Sequence, residues 1–171
     1  MGTAFTATYM SNGAGGLPAT LEILLVEDNP GDVRLTKESL RATPIDHTFH
    51  VVDDGSDALD FLHRRGEFAD APRPDLVLLD FKLPRLNGDE VATEIEGTPE
   101  IEEIPLVVLT GHPAQDRVLG LDELPIDDAM TKPVDADGFL ETLRSLETSW
   151  SRTELETEST PASESESERA R

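Results

Sequence analysis

The stretch LEILLVEDNP (Leu21–Pro30) carries an apolar run into two adjacent carboxylates, Glu27 and Asp28. The run is continuous rather than alternating, which marks a strand covered on both faces, as in a parallel sheet held between two helical layers. Its end is less ordinary. Like charges a few ångströms apart repel, and each raises the other's pKa unless a cation or hydrogen-bond donors compensate. A buried strand closing on such a pair points to a bound metal ion.

Outward from this stretch the chain alternates. Residues 30–42 (PGDVRLTKESLRA) read as a helix with Pro30 suited to its first turn, and HTFHVV (47–52) as a second strand. SDALDFLHRR is the next helix, PDLVLLD a third strand ending in Asp80, and NGDEVATEIEG another helix. IPLVVLTG is the fourth strand, PAQDRVLGLDEL (113–124) one helix, and DDAMTKP a short fifth strand. DADGFLETLRSLETSW closes the series with Phe139, Leu143, Leu146 and Trp150 on one face, a core-packing stripe. The alternation predicts an α/β fold, a doubly wound five-stranded parallel sheet, in one domain over residues 21–150. Residues 1–20, rich in Gly, Ser, Thr and Ala, and the Ser/Glu-rich acidic tail 151–171 read as disordered.

Composition removes several classes of function. Without cysteine there is no disulfide, thiolate nucleophile or sulfur-ligated metal, so a metal here is held by oxygen or imidazole. A formal charge of -22, from 36 acidic and 14 basic residues, argues against nucleic acid as a partner. No apolar run approaches the roughly 18 residues of a membrane span, and the N-terminus lacks the pattern of a signal peptide, so the expected compartment is the cytoplasm. Lysine occurs only at Lys37, Lys82 and Lys132 while arginine is not scarce, a balance expected of a halophilic protein whose self-repulsion is screened by salt.

In an open parallel sheet the ligand site lies beyond the carboxyl ends of the strands. There the sequence places Glu27 and Asp28, Asp80, Thr110, and Lys132 followed by Pro133. Three carboxylates without His or Cys make a hard oxygen site suited to Mg2+. Asp80 is the best placed to attack phosphorus as a carboxylate nucleophile, Lys132 to hold a phosphoryl oxygen as a point charge, and Thr110 to donate its hydroxyl to another.

These residues resemble the receiver domain of two-component response regulators. The likeness spans about residues 21–148 and rests on the acidic pair in VEDNP, the acceptor in LVLLDFKLPRLNG, the hydroxyl in VVLTG and the lysine in MTKP. The separations agree with it: thirty positions from Asp80 to Thr110 and twenty-two from Thr110 to Lys132. The EDNPGDVRL start and the lack of an output domain look most like the stand-alone regulators of phytochrome-type histidine kinases.

The resemblance implies a flavodoxin-like (βα)5 receiver fold and a single-domain response regulator, not an enzyme. Asp80 would be the phospho-acceptor, served by a histidine kinase or phosphotransfer protein. Mg2+ would be held by Asp28, Asp80 and the backbone carbonyl of Lys82, with Glu27 acting through water. Lys132 and Thr110 would contact the phosphoryl group, and the Lys132–Pro133 bond would be cis. Output would pass by protein contact: dimer formation, phosphate relay, or docking on a target. One position departs from the pattern, since the aromatic residue three before the lysine is Ala129. The usual rotamer switch then has no side chain to carry it.

Around these residues, the Lys82 side chain reads as a solvated charge. His112 lies where the family tunes acyl-phosphate lifetime, or is a plain loop histidine. Gly88 reads as a turn residue at a helix entry. Two rival functions remain. A Mg2+-dependent phosphohydrolase with an aspartyl-phosphate intermediate would want a second carboxylate where Lys82 stands. A degenerate receiver acting as a constitutive docking module is favoured only by Ala129.

Overall fold

The structure, a computed structural model, describes residues 18–146. Strands β1 (Leu21–Val26), β2 (His47–Val52), β3 (Leu76–Asp80), β4 (Leu106–Thr110) and β5 (Asp128–Thr131) form one sheet in the order β2-β1-β3-β4-β5. Every neighbouring pair is parallel. The connections carry helices α1 (Pro30–Arg41), α2 (Gly55–His63), α3 (Gly88–Glu96) and α4 (Pro113–Val118), and α5 follows over residues 136–146. This is the doubly wound parallel sheet that the alternation of apolar runs implies, in the flavodoxin-like order that the resemblance implies.

Side-chain alternation along each strand makes two cores. Leu21, Ile23 and Leu25 of β1 face Leu40 of α1 and Phe139, Leu143 and Leu146 of α5. Leu24 and Val26 face the other way, toward Phe61 of α2 and Val91 and Ile95 of α3. All of these are buried, which explains why the strands carry no polar alternation. Each such side chain contributes about 1.5–3 kcal/mol of transfer free energy.

Local chemistry sets the helix starts. Asn29 Oδ1 accepts from Gly31 N at 2.8 Å and from Asp32 N at 3.3 Å, with Pro30 in the first turn of α1. Asp54 accepts from Asp57 N at 2.7 Å and caps α2, which ends where Arg64 takes φ 56. The single helix read over 113–124 is corrected: α4 stops at Val118, Gly120 takes φ 103, and a 3-10 turn covers Leu121–Glu123. The break turns Leu121 into the core at 3% exposure, which a straight helix would not do. Trp150, the tail read as disordered over 151–171, and residues 1–17 of the N-terminal segment read as disordered over 1–20 lie outside the described residues, whereas residues 18–20 are described.

Candidate phosphoryl-acceptor site

The chain leaves β1 for β2 on one side and returns to β3 on the other. The crevice between the carboxyl ends of β1 and β3 is therefore the topological switch point. Glu27 and Asp28 follow β1 and Asp80 ends β3, and carboxylate oxygens of the three lie within 4.8 Å of one another. Glu27 and Asp80 are buried, whereas Asp28 is exposed at the rim.

Lys132, just beyond β5, supplies the countercharge. Its Nζ lies 2.5 Å from Glu27 Oε2, 3.1 Å from Asp32 Oδ2 and 3.3 Å from Asp80 Oδ2. The remaining oxygens meet backbone donors: Asn29 N donates to Glu27 Oε1 at 3.1 Å, and Lys82 N to Asp80 Oδ1 at 3.3 Å. The Lys132–Glu27 contact is the shortest of the three and ties Glu27 Oε2 to the ammonium. Burial, with the nearby charge of Asp80, pushes Glu27 up to about 7 against the pull of Lys132. Burial would lower Lys132, but Glu27, Asp80 and Asp32 together hold it above its ordinary value. Three carboxylates around one ammonium leave an excess of negative charge. That excess and the hard donor set of Glu27, Asp28 and Asp80 fit a small divalent cation.

Thr110 ends β4, and its carbonyl accepts from Lys132 N at 2.8 Å. Its hydroxyl does not face an open pocket: it donates to Oδ2 of Asp116, a side chain of α4 that is 1% exposed. The backbone N of His112 donates to the same hydroxyl oxygen at 3.1 Å, while the His112 residue itself is exposed. The Lys82 ammonium, read as a plain solvated charge, lies 3.8 Å from Asp116 Oδ1. Asp116 went unread in the sequence because a carboxylate in the first turn of a helix is an ordinary solvated feature. Asp32 went unread for the same reason.

The Lys132–Pro133 bond is cis. Ala129 is exposed on β5 opposite Val108. Gly88 is corrected in its reason: it has no left-handed backbone, and a Cβ there would lie 2.8 Å from the carbonyl oxygens of both Asp80 and Phe81. The left-handed residue in this loop is Arg85, φ 63, whose guanidinium pairs with buried Asp54 and ties the loop after Asp80 to the start of α2. A second acidic group, Asp53, Asp54 and Asp57, differs from the first because Asp54 is already taken by Arg85 and Asp57 N.

A parallel sheet in this order, with an acidic cluster and a lysine at its carboxyl ends, defines the class: the chain belongs to the response regulator receiver domain family, which matches residues 23–144. Receiver domains bind Mg2+ or Mn2+ at this pocket and work with histidine kinase or phosphotransfer partners.

Among particular proteins, the chain is 39% identical over 140 residues to the response regulator Rcp1 of Synechocystis sp., covering 82% of this chain and 92% of that one. The structure of the bacteriophytochrome response regulator AtBRR is similar at 35% identity with a TM-score of 0.69, over 75% of this chain and 94% of that one. The phosphorylated cyanobacterial phytochrome response regulator RcpA is similar at 36% identity with a TM-score of 0.63, over 77% and 94%. Rcp1 itself has been crystallised in a Mn(2+)-bound form. Among the described residues no helix is long and apolar enough to cross a membrane.

Proposed function

We propose that this chain is a phosphorylation-controlled switch in two-component signalling, with Asp80 as its phospho-acceptor. The observation that carries the reading is the placing of Asp80 Oδ2 3.3 Å from the Lys132 ammonium, with Glu27 and Asp28 gathered beside it at the switch point. A carboxylate oxygen of Asp80 attacks phosphorus and forms an acyl phosphate as the bond from phosphorus to the donor's imidazole nitrogen breaks, its electron pair staying on that nitrogen. Lys132 holds a phosphoryl oxygen and keeps the buried acid from repelling the incoming group.

Asp28, Asp80 and the Lys82 carbonyl would hold Mg2+, with Glu27 acting through water. When bound, the cation screens the charge of the phosphoryl oxygens. The donor is a histidine kinase or phosphotransfer protein. The names of the bacteriophytochrome response regulator AtBRR and the phytochrome response regulator RcpA favour one of phytochrome type. The phosphoryl group carries about two negative charges where the carboxylate carried one, which biases the loop after β4, and output passes by protein contact, including self-association, in the cytoplasm. The acid-rich, lysine-poor composition further supports a protein adapted to high salt.

The test is labelling by acetyl phosphate, read by intact mass, for wild type and Asp80→Asn with and without Mg2+. One phosphate per chain that requires both Asp80 and Mg2+ supports the switch. A folded protein that takes none is a docking module, and continuous turnover of acetyl phosphate without a lasting adduct is a phosphohydrolase.

A further inference from the structure

We propose that Asp116 is a positioning residue that acts as a resting-state latch: it holds the hydroxyl of Thr110 away from the phosphoryl position, and breaking that hydrogen bond is part of what activation costs. The inference rests on the reading of Asp80 as acceptor and adds a residue outside the acidic pocket to it.

A threonine hydroxyl has one proton to donate. In this structure that proton goes to Asp116 Oδ2, and one of the oxygen's lone pairs is taken by His112 N at 3.1 Å. Thr110 therefore cannot give a hydrogen bond to a phosphoryl oxygen until Asp116 lets go. The acceptor is no surface group. Asp116 is 1% exposed, its Oδ1 has no hydrogen-bond donor, and the charge it faces is the Lys82 ammonium at 3.8 Å.

Leaving a buried carboxylate oxygen without its donor is unfavourable, so the latch resists release. Lys82 stands two residues after Asp80, beside both the acceptor and the latch. When Thr110 turns to the phosphoryl group, this ammonium is placed to take over the stranded carboxylate. The switching work that an aromatic side chain would share falls at Ala129 on a methyl group, so the Thr110–Asp116 bond carries more of it.

The experiment is binding of beryllofluoride, a stand-in for the phosphoryl group on a carboxylate, to the full chain with Mg2+ present. The proteins are wild type, Asp116→Asn, Asp116→Ala, Thr110→Ala and the Thr110→Ala/Asp116→Ala double variant, each shown to be folded by circular dichroism. We expect Asp116→Ala to bind roughly five- to twentyfold tighter than wild type, and Asp116→Asn, which keeps an acceptor oxygen, to fall between them. In the Thr110→Ala background the change at Asp116 should alter binding by no more than about twofold, the share left to the half-exposed Lys82.

A second readout needs neither metal nor ligand: the His112 amide should exchange with solvent faster in Asp116→Asn. Affinity unchanged by either Asp116 variant, or changed equally with and without the Thr110 hydroxyl, overturns the latch alone. Should Asp116→Ala fail to fold, Asp116→Asn decides. Folded wild type that binds no beryllofluoride overturns the acceptor reading, and the latch with it.

Discussion

The Lys132 ammonium lies 2.5 Å from Glu27 Oε2 although β5 and β1, the strands that deliver them, are separated in the sheet by β3 and β4. At about 4.8 Å per strand the two strand axes are roughly 14 Å apart. One side chain thus links the far edge of the sheet to its switch point and keeps two buried acids tolerable beside each other.

Removing that cation should show as lost stability before any metal is added. Lys132→Met leaves Glu27 and Asp80 without countercharge, and the metal-free protein should lose on the order of 1–3 kcal/mol in urea unfolding near pH 8. Asp28→Asn acts on an exposed group. It should leave the metal-free stability within about 0.5 kcal/mol while weakening Mg2+ binding about tenfold or more. Equal urea midpoints for Lys132→Met and wild type would mean that the ion pair contributes nothing.

The acidic pair should also make Mg2+ binding depend on pH. Glu27 is raised from its ordinary 4.5 to about 7, chiefly by burial. Between those values the native state keeps a proton that the unfolded chain has shed. The unfolding free energy therefore falls as pH rises, and the metal-free protein should lose on the order of 1–3 kcal/mol from this group between about pH 4.5 and 7. A bound cation must displace that proton, so Mg2+ should bind more tightly across the same window and release up to about one proton. Calorimetry in two buffers of different ionisation enthalpy reads the release directly, and an affinity flat across that range would refute the assignment.

Gly88→Ala should cost roughly 1–3 kcal/mol, because the new methyl group meets two carbonyl oxygens in a loop that cannot withdraw. Those oxygens belong to Asp80 and Phe81, each 2.8 Å from the added carbon. The effect should reach function as well, since Asp80 is one of them. Gly111→Ala is the control: a Cβ there meets nothing within 4 Å, and the urea midpoint should hold or rise slightly.

Salt should stabilise the molecule. With a formal charge of -22, raising KCl from about 0.1 M to about 2 M should lift the melting temperature by on the order of 5–10 °C. A flat curve would remove the salt-adapted reading while leaving the acceptor site untouched.

The strands were readable because a parallel sheet buried on both faces writes itself as unbroken apolar runs, and Leu76–Leu79 and Leu106–Leu109 are such runs. Residues at strand ends were readable for a related reason, since polar types stand out against those runs. What stayed hidden depends on contacts between elements far apart in the chain. The sequence ties Lys132 to no particular acid, and Asp32 joins it only across 100 positions. Asp116 and Asp54 look like ordinary surface charges until the fold buries them, and nothing in the sequence ties the exposed Arg85 to Asp54. The length of α4 was misread because Leu119 and Leu121 continue a helical pattern that Gly120 interrupts.

That interruption leaves α4 as six residues, fewer than two turns. A helix this short has almost no stability of its own in water, and it persists through what it touches. One of those attachments is the Asp116–Thr110 bond. The segment should therefore behave as a unit that opens at a lower free energy than the sheet beneath it, which amide exchange would read. What such a unit transmits is a fraction of time spent folded, so a partner that reads this end of the molecule reads an occupancy.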